Sequence, residues 1–345
     1  MRLMKAVVLR RHGGPEVLEL CDLPVPEPGP GEVRVAVRAV ALNHLDLWVR
    51  RGGPAFHLEF PHPLGSDIAG VVDALGPGVT DALPGARVVV SPGLSCGACR
   101  ACLSGRDNLC PRYGILGETH PGGYLEYIAV PRQNLAPYPG ELSFPEAAAS
   151  ILTFMTAWQM LVTRAGVRPG ETVLVHGAGS GVGAAAVQIA RLFGARVIAT
   201  AGSDGKLARA RELGADEVIN YQTQDFVAEV KRLTARRGAD VVFEHIGGET
   251  FARSIRATAS GGRIAICGAT SGFSPSIDLR HVFFRQISIL GSTMASKGDL
   301  LEVLSHVGAG RLRPIVDRVL PLAEAAEAHR LLEARAVFGK LVLEP

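Results

Sequence analysis

The 345-residue chain has no basic run and no interleaving of basic with aromatic side chains, and its net charge is only +3. The electrostatic footprint of a nucleic-acid binder is absent. A long apolar run is missing too, because the best stretch, Ala147 to Val162, is interrupted by Ser150, Thr153, Thr156 and Gln159. No membrane span is expected. The opening MRLMKAVVLRRHGGPE has too short an apolar core for an export signal, with Arg10 and Arg11 directly behind it. A cytoplasmic protein is expected. No internal repeat or low-complexity segment stands out. What is present is an ordinary soluble composition, 47% hydrophobic and 20% charged, over a length that suggests two domains. Only six cysteines occur, but four of them lie between Cys96 and Cys110.

Those four, Cys96, Cys99, Cys102 and Cys110, are spaced C-x-x-C-x-x-C-x7-C in a loop rich in Gly, Ser and Arg. Four thiolates close a tetrahedral shell around Zn²⁺ and leave no position for water, so the spacing predicts one structural zinc per chain. Buried thiols or a redox pair are the competing explanations. Cys21 and Cys267 sit in strand-like surroundings and read as ordinary buried thiols.

Residues 1–152 are strand-rich and punctuated by Pro and Gly: MKAVVL, VLEL, VRVAVRAVAL, Asp67 to Leu75, Ala86 to Val90 and Gly123 to Val130. Such short strands suit a β-barrel-like domain. SFPEAAASILTFMTAWQMLV, from Ser143, is helical in composition with Ser143 as its cap. Over 153–292 strands and helices alternate regularly, which implies a doubly wound parallel sheet with helices on both faces. The tail, 293–345, is mixed and is expected to return to the first domain.

The centre of the pattern is VLVHGAGSGVG, Val173 to Gly183. Strand, tight turn and helix follow one another, and the turn carries Gly177, Gly179, Ser180, Gly181, Val182 and Gly183. Backbone N–H groups and the positive end of a helix dipole meet there, a place for a pyrophosphate. Counted from Gly177 the spacing has one residue more than Gly-x-Gly-x-x-Gly, so the motif alone is also compatible with an ordinary αβ connection.

Taken with the cysteine loop, GGYLEY (Gly122 to Tyr127), GGRIAICG (Gly261 to Gly268) and FGKLVLEP at the end, this turn resembles the medium-chain dehydrogenase/reductase family. The resemblance covers nearly the whole length. It implies a Rossmann cofactor domain inserted into a GroES-like catalytic domain, with a nicotinamide cofactor in the cleft between them and cofactor contacts that include Thr156, Gly268 and Lys340. The positions matching the catalytic-zinc ligands of alcohol dehydrogenases are Asn43, Ser66 and Thr153, with Asp67 where a Glu follows the family's His. None of the first three is a good zinc ligand. Asn43 with Asp46 instead resembles the zinc-free quinone oxidoreductase branch.

Without a Lewis acid, oxidation of a simple alcohol loses its alkoxide stabilisation. Hydride delivery to an enone, quinone or enoyl thioester needs only a few hydrogen bonds to a delocalised enolate. The expected reaction is therefore reduction of an activated C=C bond or a quinone, with Asn43 and Thr153 as polar contacts and Trp48 as an apolar wall. His44 is either a proton relay or a satisfied polar residue, and Asp46 is either a general acid or an orienting group for its loop. His57, His62 and His120 read as surface histidines, while His176 and His245 are expected to face the cleft.

At the end of the second cofactor-domain strand stands Ala201, followed by Gly202 and Ser203, where an NAD enzyme usually has an acid. With Lys206 and Tyr221, which match 2′-phosphate contacts in NADPH-dependent quinone reductases, this favours NADP(H) over NAD(H), and Asp204 is the counterweight. Rival readings are alcohol or aldehyde turnover with a metal on Asp67 and His44, and a non-catalytic NADPH-binding protein. The partner is a small-molecule substrate. The apolar edge strand ISILGS suggests a homodimer or homotetramer.

Overall fold

The computed structural model describes residues 2–54 and 56–345. It divides into two compact units, one formed by residues 1–153 with 296–345 and the other by 154–295.

The first unit is built on a seven-stranded sheet in the spatial order Leu135–Pro137, Arg87–Val90, Asp67–Leu75, Glu32–Ala41, Lys340–Glu344, Val316–Pro321, with Tyr127–Pro131 also pairing on Glu32–Ala41. Val33, Val35 and Val37 alternate inward along the central strand, as a half-buried strand requires. A three-stranded sheet of Leu18–Pro24, Leu3–Leu9 and His62–Pro63 packs its Val7, Val8 and Leu9 into the same core. Register decides the chemistry of this unit. Asp67 pairs with Ala41, and the returning strand pairs Val342 with Ala41 and Leu343 with Val40. Continued by two residues, that antiparallel register brings Lys340 to Asn43 beside Asp67.

The second unit contains a six-stranded parallel sheet: Glu217–Asn220, Arg196–Ala201, Thr172–Val175, Ala239–Glu244, Thr258–Ile266, Ser288–Gly291. In order of appearance this is 3-2-1-4-5-6, the doubly wound arrangement expected from the βα alternation. Every residue of Thr172–Val175 is buried, as for strands covered on both faces. Ser288–Gly291 forms one edge, with Ile289 exposed.

Two local expectations differ from what is observed. The helical run after Ser143 is broken into Phe144–Ala149, Leu152–Trp158 and a π-helical segment, Gln159–Arg164. Ser143 caps the first piece as expected. At the break Ser150 Oγ donates to the Ala147 carbonyl at 2.7 Å, and the Leu152 N–H donates to Asp67 Oδ1 at 2.8 Å. A carboxylate from a distant strand thus takes the amide that a continuous helix would have given to residue 148. The strand read over Gly123 to Val130 is confined to Tyr127–Pro131. Gly123 and Tyr124 instead donate to Gly65 O and Leu64 O, while Tyr124 O accepts from Val7 N, so this piece links the two sheets.

Candidate active site, cofactor turn and metal centre

Three strand ends in the first unit deliver a buried polar cluster. Lys340 Nζ donates to Asn43 Oδ1 at 2.6 Å and to Asp67 Oδ2 at 2.9 Å, and Asn43 Nδ2 donates to the same Asp67 oxygen at 2.9 Å. With Leu152 N–H on its other oxygen, the Asp67 carboxylate holds three donors. The lysine fixes which end of the Asn43 amide is oxygen. Asp46, at the start of the helix His44–Arg51, accepts from Asn43 N–H at 2.6 Å and Gly65 N–H at 3.0 Å. Burial pushes its carboxyl up to about 7, against those two N–H groups and Lys340, which pull the other way. The two accepted N–H groups are the geometry of an orienting group, one of its two expected roles. Ser66 spends its hydroxyl on the Leu116 carbonyl at 2.7 Å, and Thr153 Oγ1 donates to Ala149 O at 3.4 Å. The residues at the matching positions, an amide and two hydroxyls, are poor transition-metal ligands, and the Lys340 ammonium is bonded to the Asp67 carboxylate.

The cysteine loop fits a metal well. All four sulfurs lie within 4.8 Å of one another, with Cys99 Sγ 3.5 Å and Cys96 Sγ 3.8 Å from Cys102 Sγ. Zn–S bonds of about 2.3 Å in a tetrahedron need sulfurs about 3.8 Å apart. Backbone N–H groups already point at the sulfurs: Cys99 N to Cys96 Sγ at 3.3 Å, Arg112 N to Cys110 Sγ at 3.4 Å. The N–H groups of Ala98 and Cys99, then the Arg112 side chain, pull the Cys96 thiol down to about 5, which favours the thiolate a metal requires.

In the second unit the glycine turn has the shape of an anion cradle. Gly177 sits at φ +57°, a left-handed conformation open to glycine. A Cβ on Gly183 would lie 2.3 Å from the Gly177 carbonyl oxygen, so the helix Gly181–Leu192 can start tight against the turn only because residue 183 has none. Ser180 caps this helix, its Oγ accepting from Gly183 N–H at 3.0 Å. Thr156 Oγ1 is buried without a hydrogen-bond partner among the described residues, a polar atom that a ligand would satisfy. Residues Gly202, Ser203 and Lys206 lie at the next strand end and the start of the helix Asp204–Glu212, which Ser203 caps without a side-chain bond. The Tyr221 hydroxyl comes within 2.6 Å of where a Cβ on Gly202 would stand. Asp204 is held by Asn220 Nδ2 at 2.8 Å. The turn offers backbone N–H groups to an anion, and the residues beside Tyr221 at the next strand end, Gly202 and Ser203, are small and uncharged.

Comparison with known proteins agrees with both units. An alcohol dehydrogenase GroES-like domain matches residues 29–140, and a zinc-binding dehydrogenase domain matches 181–308. Quinone oxidoreductase of Homo sapiens is 30% identical across 99% of this chain and 98% of its own length. The chain belongs to the medium-chain dehydrogenase/reductase family. It is accordingly an oxidoreductase. Crotonyl-CoA reductase of Streptomyces avermitilis, another member, is 34% identical over 95% of this chain and 82% of its own. Among solved structures, a NAD-dependent alcohol dehydrogenase matches with TM-score 0.96 and 61% identity, covering 99% of this chain and 100% of that one. Crotonyl-CoA carboxylase/reductase AntE in complex with NADP matches with TM-score 0.92 and 27% identity, over 99% and 94%.

In this medium-chain dehydrogenase/reductase several candidate residues have buried partners within their own unit. Lys340, expected among the cofactor contacts, has its ammonium inside the Asn43–Asp67 cluster. His62 is buried rather than exposed, because its short strand pairs with Leu9; His57 and His120 are exposed. His176 and His245 are buried too, the first against Thr200 and Ser254, the second donating through Nε2 to the His176 carbonyl at 2.8 Å. The hydrogen bonds they make inside the sheet turn them inward. His44 lies edge-on to Trp48, ring centres 5.1 Å apart. Gly268 follows the strand Thr258–Ile266. Glu244, Ser254 and Thr200 carried no sequence signal beyond being polar within apolar surroundings, yet they form the main polar network of the second unit.

Proposed function

We propose that this protein is an NADP(H)-dependent reductase of activated C=C bonds or quinones that works without a catalytic metal and carries one structural zinc on Cys96, Cys99, Cys102 and Cys110. The observation that carries the reading is the Lys340 ammonium on Asn43 Oδ1 and Asp67 Oδ2. It fills with a protein-borne cation the place where an alcohol dehydrogenase needs ligands. The Asp67 carboxylate, with three donors already, is no ligand for the metal that alcohol turnover through Asp67 and His44 would require. A bound nicotinamide supplies the hydride. The chain's own part is to meet the negative charge that the hydride leaves on the substrate, with the locked Asn43 amide and Thr153 as polar contacts, Trp48 as an apolar wall and His44 as the proton carrier.

NADP(H) preference is supported by Ala201, Gly202 and Ser203 at the strand end and by Tyr221 and Lys206 beside them. Asp204, the one nearby acid that could oppose a 2′-phosphate, is held by Asn220. The exposed Ile289 on the edge strand, with Phe283 and Phe284 exposed close by in sequence, supports a homodimer or homotetramer. No helix among the described residues is long and apolar enough to cross a membrane, in keeping with a cytoplasmic enzyme acting on a small molecule.

A second reading, alcohol turnover with NAD, is favoured by one fact: a structure 61% identical to this chain bears the name NAD-dependent alcohol dehydrogenase. Steady-state kcat/KM on a panel of enones, quinones, an enoyl thioester and simple alcohols, with NADPH or NADH (NADP⁺ or NAD⁺ for the alcohols), decides between them, together with metal content. The reductase reading expects one zinc per chain and turnover of the activated acceptors, and Lys206→Ala costs about tenfold with NADPH and little with NADH. Two zincs per chain, or brisk alcohol oxidation after metal removal, overturns it.

A further inference from the structure

The ends of the central strands in the second unit carry a hydrogen-bond chain that none of the roles above uses. Ser254 Oγ lies 2.7 Å from Glu244 Oε2 and 3.0 Å from His176 Nε2. A carboxylate only accepts, so the serine hydroxyl donates to Glu244 and accepts from His176. Nε2 is therefore the protonated ring nitrogen, and Nδ1 accepts from Thr200 Oγ1 at 3.2 Å. The Thr200 oxygen in turn accepts from Gly177 N–H at 3.4 Å. At the far end Glu244 Oε1 accepts from Ile246 N–H at 2.7 Å and Gly247 N–H at 3.1 Å. Thr200, His176, Ser254 and Glu244 are all buried. Burial pushes the His176 ring down to about 4, so it is neutral at neutral pH, as the chain requires.

The two ends of this chain are the turns that follow Thr172–Val175 and Ala239–Glu244. These strands are neighbours at the centre of the sheet, where the order 3-2-1-4-5-6 reverses. Ligands of doubly wound sheets bind outside the strand ends at that reversal. We propose that the path Gly177–Thr200–His176–Ser254–Glu244–Gly247 is a positioning device for the dinucleotide: it ties together the two turns that flank the reversal, so that the pyrophosphate cradle is formed before the cofactor arrives. This rests on the nicotinamide-cofactor reading above. His176 and Ser254 act through Gly177 and Gly247, which makes them positioning residues rather than catalytic ones. Ser254 is the weakest point, since His176 Nε2 and Glu244 Oε2 are 3.9 Å apart, too far to bond directly once the hydroxyl is gone.

The test uses the full-length protein, with NADPH and NADH as separate probes and Kd read by nucleotide fluorescence. Ser254→Ala is expected to weaken binding of the preferred dinucleotide about tenfold. Ser254→Thr, which keeps the hydroxyl, is expected to restore most of the affinity. Val230→Ala, a core truncation in the same unit, lowers Tm but leaves Kd unchanged, which separates positioning from general loosening. Histidine ¹⁵N NMR of the cofactor-free protein reads the tautomer without any variant: Nε2–H for His176 in the wild type. Glu244→Gln, whose amide can donate toward Ser254 and turn that hydroxyl toward the ring, shifts it to Nδ1–H. Unchanged Kd in Ser254→Ala, or an Nδ1–H tautomer in the wild type, overturns the proposal. A wild type that binds neither dinucleotide overturns the cofactor reading itself, and the proposal with it.

Discussion

Asp67 and Glu244 are both fully buried, and the two units satisfy them by different means. Asp67 faces an ammonium, an amide and a backbone N–H. Glu244 has one hydroxyl and two backbone N–H groups, with no cation among its hydrogen-bond partners in the described residues. The first arrangement balances charge with charge. The second balances charge with aligned dipoles, and the alignment carries direction along a chain of protons. A buried ion pair tolerates either partner poorly alone, whereas a dipole chain fails wherever one link is removed.

The sharpest way to break this contrast is Lys340→Met, which strands the Asp67 charge and is expected to cost about 3–5 kcal/mol in urea unfolding. Adding Asp67→Asn recovers part of the loss. An equal cost in both variants shows that packing, not charge balance, governs the site. Next in size are two titrations of opposite sign. Asp46 is raised from 3.8 to about 7, so its contribution is present below pH 3.8 and lost as the pH rises through 7, about 4 kcal/mol in all. His176 is lowered from 6.5 to about 4, by burial first, with His245 and Arg253 adding and Glu244 opposing. Its contribution is present above pH 6.5 and falls by about 3 kcal/mol on going down to pH 4. His329, in the first unit, is lowered as well, to about 3, so each slope is read as a difference from wild type. Asp46→Asn flattens the loss on going up from pH 4 to 7, and His176→Gln flattens the loss on going down to pH 4. Parallel curves for variant and wild type refute the assignment. The smallest effect compares one substitution in both clusters. Ser254→Ala leaves two partners unsatisfied and costs about 2–3 kcal/mol, while Ser66→Ala frees only the Leu116 carbonyl and costs about 1 kcal/mol. Equal values erase the distinction.

Much of the fold was legible in the sequence. Regular βα alternation predicts the parallel sheet, and that sheet is observed in the order 3-2-1-4-5-6. The cysteine spacing marks four sulfurs that do come together within 4.8 Å. Local signals of this kind read true because their partners are close in sequence. The helix break at Ser150 was not legible, because its cause is a carboxylate 85 positions away. His62 read as a surface residue because nothing in its neighbourhood announces that its two-residue strand pairs with Leu9. Nor does the local motif FGKLVLEP announce that Lys340 bonds Asn43, 297 positions away.

Composition, the glycine turn and the four-cysteine loop determined by themselves the class of fold, the strand-turn-helix at the glycines and the clustering of the four sulfurs, since each depends on side chains within a few residues of one another. Only the tertiary structure decided what stands at the zinc-ligand positions. Three strand ends from three parts of the chain must be aligned in register before an ammonium, an amide and a carboxylate meet, and register between distant strands is set by the packed core as a whole.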